Sequence, residues 1–408
     1  MTTRLRRPEG RHRVVITGVG VVAPCGIGAD AFWAGLARSP EPESVREVVD
    51  FSAEGLWPSA ATTRRHARFT QFAVAAVGQA LKDAGLISGQ TGADVPSWPD
   101  STRIGVYIGN GSGASTERDA QVLAFEKRGR AGVSPLLVPM AMPNAGAAAV
   151  SIRWGFRGPC ETVSTACASG THSLISAMLA IAHGRVDIAV AGGAEASLAP
   201  TEITAYENIR ALSHRGVSQP FDVEREGFCL SEGAGILILE SAEHAARRES
   251  PTIYAEVAGG ASNSDAHHMT APSRDGQGAL ECMRLALADA ETAPHEVTHI
   301  NAHGTSTPAN DAAEATAISR LFGTGRPTVT SIKGVTGHSL GGAGAIEAVS
   351  LALSFSRQAI PPTLGTTRVD PALDIDVALE RTAWEPSPAL SNSFGFGGHN
   401  GTLVFRPA

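Results

Sequence analysis

The chain has 408 residues and a formal net charge of −7; 43% of its residues are hydrophobic and 18% charged. That length suits two domains or one large α/β unit, and the balance excludes a largely disordered chain as well as an overall basic surface for nucleic acid or an anionic membrane. Five scattered cysteines with no CxxC pair suggest neither a zinc site nor a disulfide framework, which points to a reduced, cytoplasmic protein.

The basic start, with Arg4, Arg6, Arg7, Arg11 and Arg13, precedes an apolar run ending near Cys25 and superficially resembles an export signal. Thr17, Gly18 and Gly20 interrupt that run, so Val14 to Val22 reads instead as a buried first strand. No later stretch reaches the roughly 18 apolar residues that span a membrane. A short helix is expected over Ala29 to Ala37 and irregular surface loop from Ser39 to Thr63. Helical spacing from Phe69 to Ala84 closes on Gly85, a C-cap residue. Ile104 to Ile108 reads as a strand and the alanine-rich Pro143 to Trp154 as a helix. A strand over Thr162 to Thr165, a helix over Leu174 to Ala182 and a strand over Asp187 to Val190 follow.

A second series begins near Pro251. Strands are expected over Ile253 to Val257, Val297 to Asn301, Thr328 to Ile332, Ala389 to Asn392 and Gly401 to Phe405. Helices are expected over Gly278 to Ala290, Ala312 to Phe322 and Gly344 to Phe355. Alternation of this kind predicts a mostly parallel sheet covered on both faces, and the element order suggests one plan used twice. Gly18-Val-Gly20 and Gly109-Asn-Gly-Ser-Gly113 complete neither GxGxxG nor GxxxxGK[ST], which argues against a nucleotide loop.

Cys167 falls at the turn between the Thr162 to Thr165 strand and the helix after it. A helix N-terminus favours the thiolate, so the position suits a covalent catalyst; on this stretch alone a small buried hydrophobe is an equal reading. Three further strand ends carry reactive groups: His303 after Asn301, Lys333 and His338 after Ser331, and Phe394 and Phe396 after Asn392. Catalytic groups in open parallel sheets gather beyond the carboxyl ends of strands. Lysine occurs only as Lys82, Lys127 and Lys333, so Lys333 in a glycine-rich turn asks for a chemical reason.

Thr165-Ala-Cys167-Ala-Ser-Gly, Asn301-Ala-His303-Gly-Thr-Ser-Thr-Pro, Lys333 with Gly337-His338, and Asn392-Ser-Phe-Gly-Phe-Gly-Gly occur in the order of the elongating β-ketoacyl-acyl carrier protein synthases, which the chain resembles from Val14 to Phe405. The resemblance implies a thiolase-like α/β fold of two similar α-β-α-β-α halves. Residues 1–250 would carry the nucleophile, and residues 251–408 the histidines, lysine and Gly-Phe-Gly gate. It implies that Cys167 takes an acyl chain from a carrier protein's phosphopantetheine, with no bound cofactor. Decarboxylative condensation with a malonyl carrier would follow, His303 and His338 stabilising the enolate and Lys333 orienting the site with Glu314. Further implied roles are an oxyanion hole at the Cys167 and Phe396 N–H groups, a gate at Phe396 beside Phe394, and pantetheine contacts at Thr305 and Thr307. Arg64, Arg65, Arg68, Lys127, Arg128, Arg130 and Arg210 fall where the family docks its acidic carrier. Asn301, Glu347, Ser391 and Asn392 resemble a monovalent-cation site of some members.

Ser112 departs from the family pattern, standing where the acyl pocket is usually lined by a bulky apolar residue. A longer or reshaped pocket, hence a dissociated polyketide, polyene or specialised fatty-acid system, is expected; housekeeping fatty-acid elongation is the alternative. The partner would be a second copy or a chain-length partner of the same fold. A non-catalytic chain-length role is disfavoured by the four reactive residues, and a thiolase by Phe394 and Phe396, since thiolases carry a cysteine in that loop. The initiating synthases have asparagine where His338 stands.

Overall fold

The computed structural model describes residues 10–88 and 98–408; Arg4, Arg6 and Arg7 lie outside them. The first half runs β1 (Val14–Ala23), α1 (Arg68–Asp83), β2 (Ile104–Gly109), α2 (Ser115–Arg128), α3 (Ala145–Trp154), β3 (Cys160–Glu161), α4 (Ser169–Ala182), β4 (Ile188–Glu195), α5 (Pro200–Asn208) and β5 (Gly233–Ser241). The second runs β6 (Glu256–Ser264), α6 (Gln277–Asp289), β7 (His299–Asn301), α7 (Pro308–Phe322), β8 (Thr328–Thr330), α8 (Ala343–Arg357), β9 (Asp376–Val377), β10 (Ala389–Gly395) and β11 (His399–Arg406).

The sheet is mixed rather than mostly parallel. In the first half β1 pairs antiparallel with β5 and β5 antiparallel with β4, while β4 pairs parallel with β2 and β2 parallel with β3. The second half repeats the sequence: β6 with β11 and β11 with β10 antiparallel, β10 with β7 and β7 with β8 parallel, β9 being added outside β8. A bridge between Val15 and Glu256 joins β1 to β6, so the halves share one continuous sheet of twelve strands among the described residues. The hydrophobic pattern of β5, Gly-Ala-Gly-Ile-Leu-Ile-Leu-Glu-Ser, is that of a strand buried on both faces, and such strands read alike in parallel and antiparallel sheets.

Helices α4 and α8 fill the layer between the two strand sets, with α8 buried from Ala343 to Phe355. A helix that is apolar all round needs such a place. Outside them, α1 and α3 cover the first half and α6 and α7 the second, completing two α-β-α-β-α related halves. Gly18 and Gly20 serve this packing: a Cβ on either would meet a carbonyl of α1, Ala80 O at 2.3 Å or Ala76 O at 2.0 Å. They are contact points for a helix and form no phosphate loop.

Three local expectations need correction. Thr162 to Thr165 form no strand; only Cys160–Glu161 pair, at the exposed sheet edge, and the chain then bends into the Cys167 turn. The irregular 39–63 segment contributes a two-residue strand, Val45–Arg46, paired with Leu230–Ser231, and a helical turn over Ala60–Thr63. The strand expected over Ile253 to Val257 lies later, at Glu256–Ser264.

Arg68, expected to face an acidic partner, is turned inward. Its guanidinium binds both carboxylate oxygens of buried Glu232 at 2.8 and 2.6 Å and Val48 O at 2.9 Å, and lies over the Phe72 ring. A docking role would have to break this pair, and a buried carboxylate stripped of its partner is costly.

A second anchor closes the back of the sheet. Glu240 on β5 is buried and accepts from Thr17 on β1, from His244 and from Arg248. Burial alone would raise its carboxyl, but those donors outweigh it and hold the group down at about 2. A depressed carboxyl stabilises the fold above its unfolded value, near 4.5, and loses that contribution as pH falls toward 2. Arg248→Ala is expected to lower the unfolding free energy at pH 7 by about 3 kcal/mol in urea titrations. The deficit relative to wild type should shrink steadily below pH 4.5.

Candidate active site

The Cys167 turn is a tight one. Ala166 takes φ +50°, an uncommon left-handed conformation for a residue with a Cβ, and the chain then enters α4. Ser169 stabilises the turn, accepting from Thr165 N at 2.9 Å and donating to Ala166 O at 2.6 Å. Cys167 is thereby presented at a helix N-terminus, yet its thiol does not have the lowered pKa that position suggests. Burial pushes it up to about 11, against the opposing pull of the Lys333 charge and of the Phe396 and Cys167 N–H groups that face the sulfur. Desolvation outweighs the dipole here.

The Phe396 N–H reaches the thiol because Gly395 lets the β10 end approach closely. A Cβ on Gly395 would stand 2.9 Å from Thr165 O and 3.1 Å from Cys167 N. Beyond it the chain reverses through Gly397 and Gly398, at φ +85° and +75°. This turn is tied to the 265–270 segment, Gly397 N donating to Met269 O at 2.7 Å and Asp265 N to Gly398 O at 2.9 Å.

His303 follows β7 and His338 follows the short turn after β8; both are buried, with ring centroids 5.4 Å apart and planes at 81°. Lys333 donates to His303 Nδ1 at 3.3 Å and to His303 O at 2.6 Å. An ammonium has no lone pair, so Nδ1 accepts and the imidazole proton sits on Nε2. The Phe228 ring packs edge-on to His338, centroids 4.9 Å apart, and His338 N donates to Cys229 O. Burial, reinforced by the Lys333 charge, holds both imidazoles well below their usual pKa, so they are neutral donors at pH 7.

The partner of Lys333 is Glu347 on α8, not Glu314. Glu314 instead accepts from His303 N at 2.9 Å, Gly304 N at 2.8 Å and Asn392 Nδ2 at 3.3 Å, so it shapes the loop that carries the histidine. Burial pushes the Glu314 carboxyl up to about 7.

Cys167, His303, His338, Phe394 and Phe396 line one cavity of about 310 Å³. Thr305, Thr307 and Arg210 lie on the same wall system; the two threonine hydroxyls are 2.9 Å apart, and Thr307 also caps α7 through Asn310 N. Ser112 is not among the lining residues; it is half-buried on the loop after β2, its N–H directed at buried Glu195. Arg64, Arg65, Lys127, Arg128 and Arg130 are exposed, and Arg210 is exposed at the cavity rim. The Arg68 N–H bond to Glu117 brings the 64–68 segment against α2.

Of the four residues expected at a cation site, Asn301, Glu347 and Ser391 lie together and Asn392 does not join them. Asn301 Nδ2 bonds Glu347 O and Ser391 Oγ, each at 3.2 Å, and Asn301 Oδ1 and Glu347 Oε2 are buried acceptors with no hydrogen-bond partner. Two orphaned oxygens beside a hydroxyl fit a small monovalent cation. Asn392 points to the opposite face of β10, as neighbours on a strand must, and bonds Thr402, Met283 and Glu314.

Sequence reasoning passed over Tyr206 and Phe228, which complete the wall beside Cys167, and Glu195, which accepts from Gly111 N, Asn110 and Ser197 behind it. Phe228 carries no chemical signal in sequence. Tyr206 carries a faint one, being one of three tyrosines.

The chain is similar to known proteins over most of its length. The families described as "Beta-ketoacyl synthase, N-terminal domain" and "Beta-ketoacyl synthase, C-terminal domain" match residues 11–245 and 254–367. The chloroplastic 3-oxoacyl-[acyl-carrier-protein] synthase I of Hordeum vulgare is 38% identical, over 98% of this chain and 90% of its own length. Among solved structures, a type II PKS acyl-carrier protein in complex with its ketosynthase bound to the hexaketide contains a similar chain, with TM-score 0.86, 33% identity and coverage of 98% of this chain and 100% of that one. The ishigamide ketosynthase/chain length factor gives TM-score 0.87 at 32% identity, covering 98% and 100%.

A thiol held near 11 has no preformed thiolate, so alkylation of Cys167 by iodoacetamide should climb about tenfold per pH unit from pH 7 to pH 9 without a plateau. Lys333→Met removes the charge that favours the thiolate and should slow alkylation at every pH in that range; peptide mass spectrometry of Cys167 reads both.

Proposed function

The chain belongs to the β-ketoacyl synthase family, and we propose that Cys167, His303 and His338 are the residues with which it performs the family's decarboxylative condensation of an acyl chain with malonyl-acyl carrier protein. The observation that carries this reading is their convergence on one cavity, with a neutral Nε2–H on His303 and the Phe396 N–H facing the thiol.

In the first half-reaction the Cys167 sulfur attacks the carbonyl of an acyl chain on a carrier protein's phosphopantetheine. The Cys167 and Phe396 N–H groups receive the oxyanion, and the thiol proton leaves on the carrier thiol. In the second, a malonyl carrier's pantetheine enters along the wall that bears the Thr305 and Thr307 hydroxyls, which bond its amides. The malonyl carboxylate departs as carbon dioxide, and the electron pair it leaves forms an enolate whose oxygen accepts from His303 and His338. The enolate carbon attacks the Cys167 thioester and the sulfur leaves as thiolate. Neutral imidazoles suit this step because they donate without neutralising the malonyl carboxylate that must leave. The substrates arrive on phosphopantetheine, and the steps draw on no bound cofactor. A monovalent cation would be held by Asn301 Oδ1, Glu347 Oε2 and Ser391, where it would supply positive charge to the orphaned acceptors.

Residues 1–250 supply the nucleophile, and residues 251–408 the histidines, Lys333 and the gate. The carrier docks on the exposed Arg64, Arg65, Lys127, Arg128 and Arg130 and on Arg210 at the cavity rim, Arg68 excepted. A second copy or a chain-length partner of the same fold would cover the exposed Cys160–Glu161 edge, a reading supported by the exposed apolar side chains Val122, Leu123, Phe125, Val138 and Ile152. Among the described residues no helix is long and apolar enough to cross a membrane, and the free cysteines support a cytoplasmic setting. We favour a dissociated polyketide, polyene or specialised fatty-acid system. The greater identity to the chloroplastic synthase favours the second reading, housekeeping elongation.

Cys167→Ala should abolish the mass increase seen after incubation with acyl carrier; a retained adduct overturns the assignment. His303→Ala and His338→Ala should each cut condensation at least about a hundredfold while leaving Cys167 acylation within about tenfold, separated by single-turnover assays.

A further inference from the structure

Helix α5 turns Glu202, Ile203 and Tyr206 inward and leaves Thr201, Thr204, Ala205, Glu207 and Asn208 exposed. Glu202 and Tyr206, four residues apart, share that face. Tyr206 lines the cavity that holds Cys167. Its ring packs edge-on to Phe228, centroids 5.9 Å apart, and tilted against Phe396 at 6.3 Å. The phenol therefore stands between the ring that backs His338 and the ring of the gate.

Beside it the wall includes an apolar cluster, Ala211, Leu212, Phe228 and Leu340 with Leu198 and Ile203. Burial keeps the phenol un-ionised, so its oxygen carries a proton to donate. Among the described residues none accepts that proton. The neighbouring Glu202 carboxylate takes the Ser115 hydroxyl, at 2.7 Å, instead. A phenylalanine would fill the same space, so what the phenol adds to the cavity lining is a hydrogen-bond donor that the described residues do not use.

We propose that Tyr206 is a specificity-determining residue, donating a hydrogen bond to an oxygen of the acyl chain carried by Cys167, so that the enzyme prefers keto- or hydroxy-bearing chains to saturated ones of equal length. The proposal rests on Cys167 being the acylated residue. It also bears on the choice of pathway, because a chain-elongating polyketide system passes on oxygenated chains where a housekeeping one passes on reduced ones.

The test compares wild type with Tyr206→Phe, which keeps the ring and its packing. Each is incubated with carriers bearing a keto-acyl or a saturated acyl chain of the same length, and the rate of adduct formation on Cys167 is followed by mass spectrometry. Wild type should favour the keto chain by about tenfold in kcat/KM, and Tyr206→Phe should bring that ratio close to one. Equal rates for the two chains in wild type, or a preference that survives in Tyr206→Phe, overturns the proposal while leaving the acyl-enzyme reading intact. No adduct from either carrier in wild type overturns both.

Discussion

A buried lysine has to find an anion, and in this protein that requirement organises the site. Lys333 is almost fully enclosed and pairs with Glu347 from the central helix α8, so the turn after β8 is held to the layer between the two halves. The remaining ammonium hydrogens go to His303 Nδ1 and His303 O, which decides the tautomer of the histidine and the path of its loop. Burial keeps both imidazoles neutral and the same charge reinforces it, while drawing the Cys167 thiol downward against its burial. Guanidinium could not substitute: its planar fork would reach for carboxylates side by side, whereas this place offers one carboxylate, one carbonyl and one ring nitrogen in different directions.

The duplicated order of strand pairings explains why the reactive groups come from separate stretches of chain. Each half brings its β2-type or β7-type strands to an end in the same region, so a cysteine from the first half and histidines from the second meet without either half holding a complete set. Helices α4 and α8, back to back in the shared layer, carry Cys167 at the start of one and the lysine's partner on the other. The site is a product of the contact between halves.

What could be read from sequence was what is local. Strand β1, helices α1, α3 and α6, and the positions of Cys167, His303, Lys333 and His338 at element ends all follow from periodicity, glycine placement and residue chemistry. The misreadings concern partners that only the fold selects. Glu314 and Glu347 are both acidic residues near the lysine turn in sequence terms, and nothing but the packing of α8 picks Glu347. Arg68 looks like its exposed neighbours Arg64 and Arg65 until Glu232, far along the chain, claims it. The helix position predicts an acidic thiol, but the hydrophobic wall of Phe228, Leu340 and Ala211 that desolvates it is contributed by distant segments. Strand direction is not legible in sequence because a buried strand such as β5 reads the same whichever way its neighbours run.

Phe396 carries two consequences on one residue. Its ring forms part of the cavity wall and its N–H faces the sulfur, and both depend on the close approach that Gly395 permits. Any backbone rotation that swings the ring aside to widen the passage also withdraws the N–H from the reaction centre. If Phe396 is the gate and its N–H the oxyanion donor, as proposed, passage and chemistry exclude one another, an interlock: charge on the thioester oxygen would be stabilised only with the doorway shut, which would keep bulk water away during the step in which hydrolysis competes.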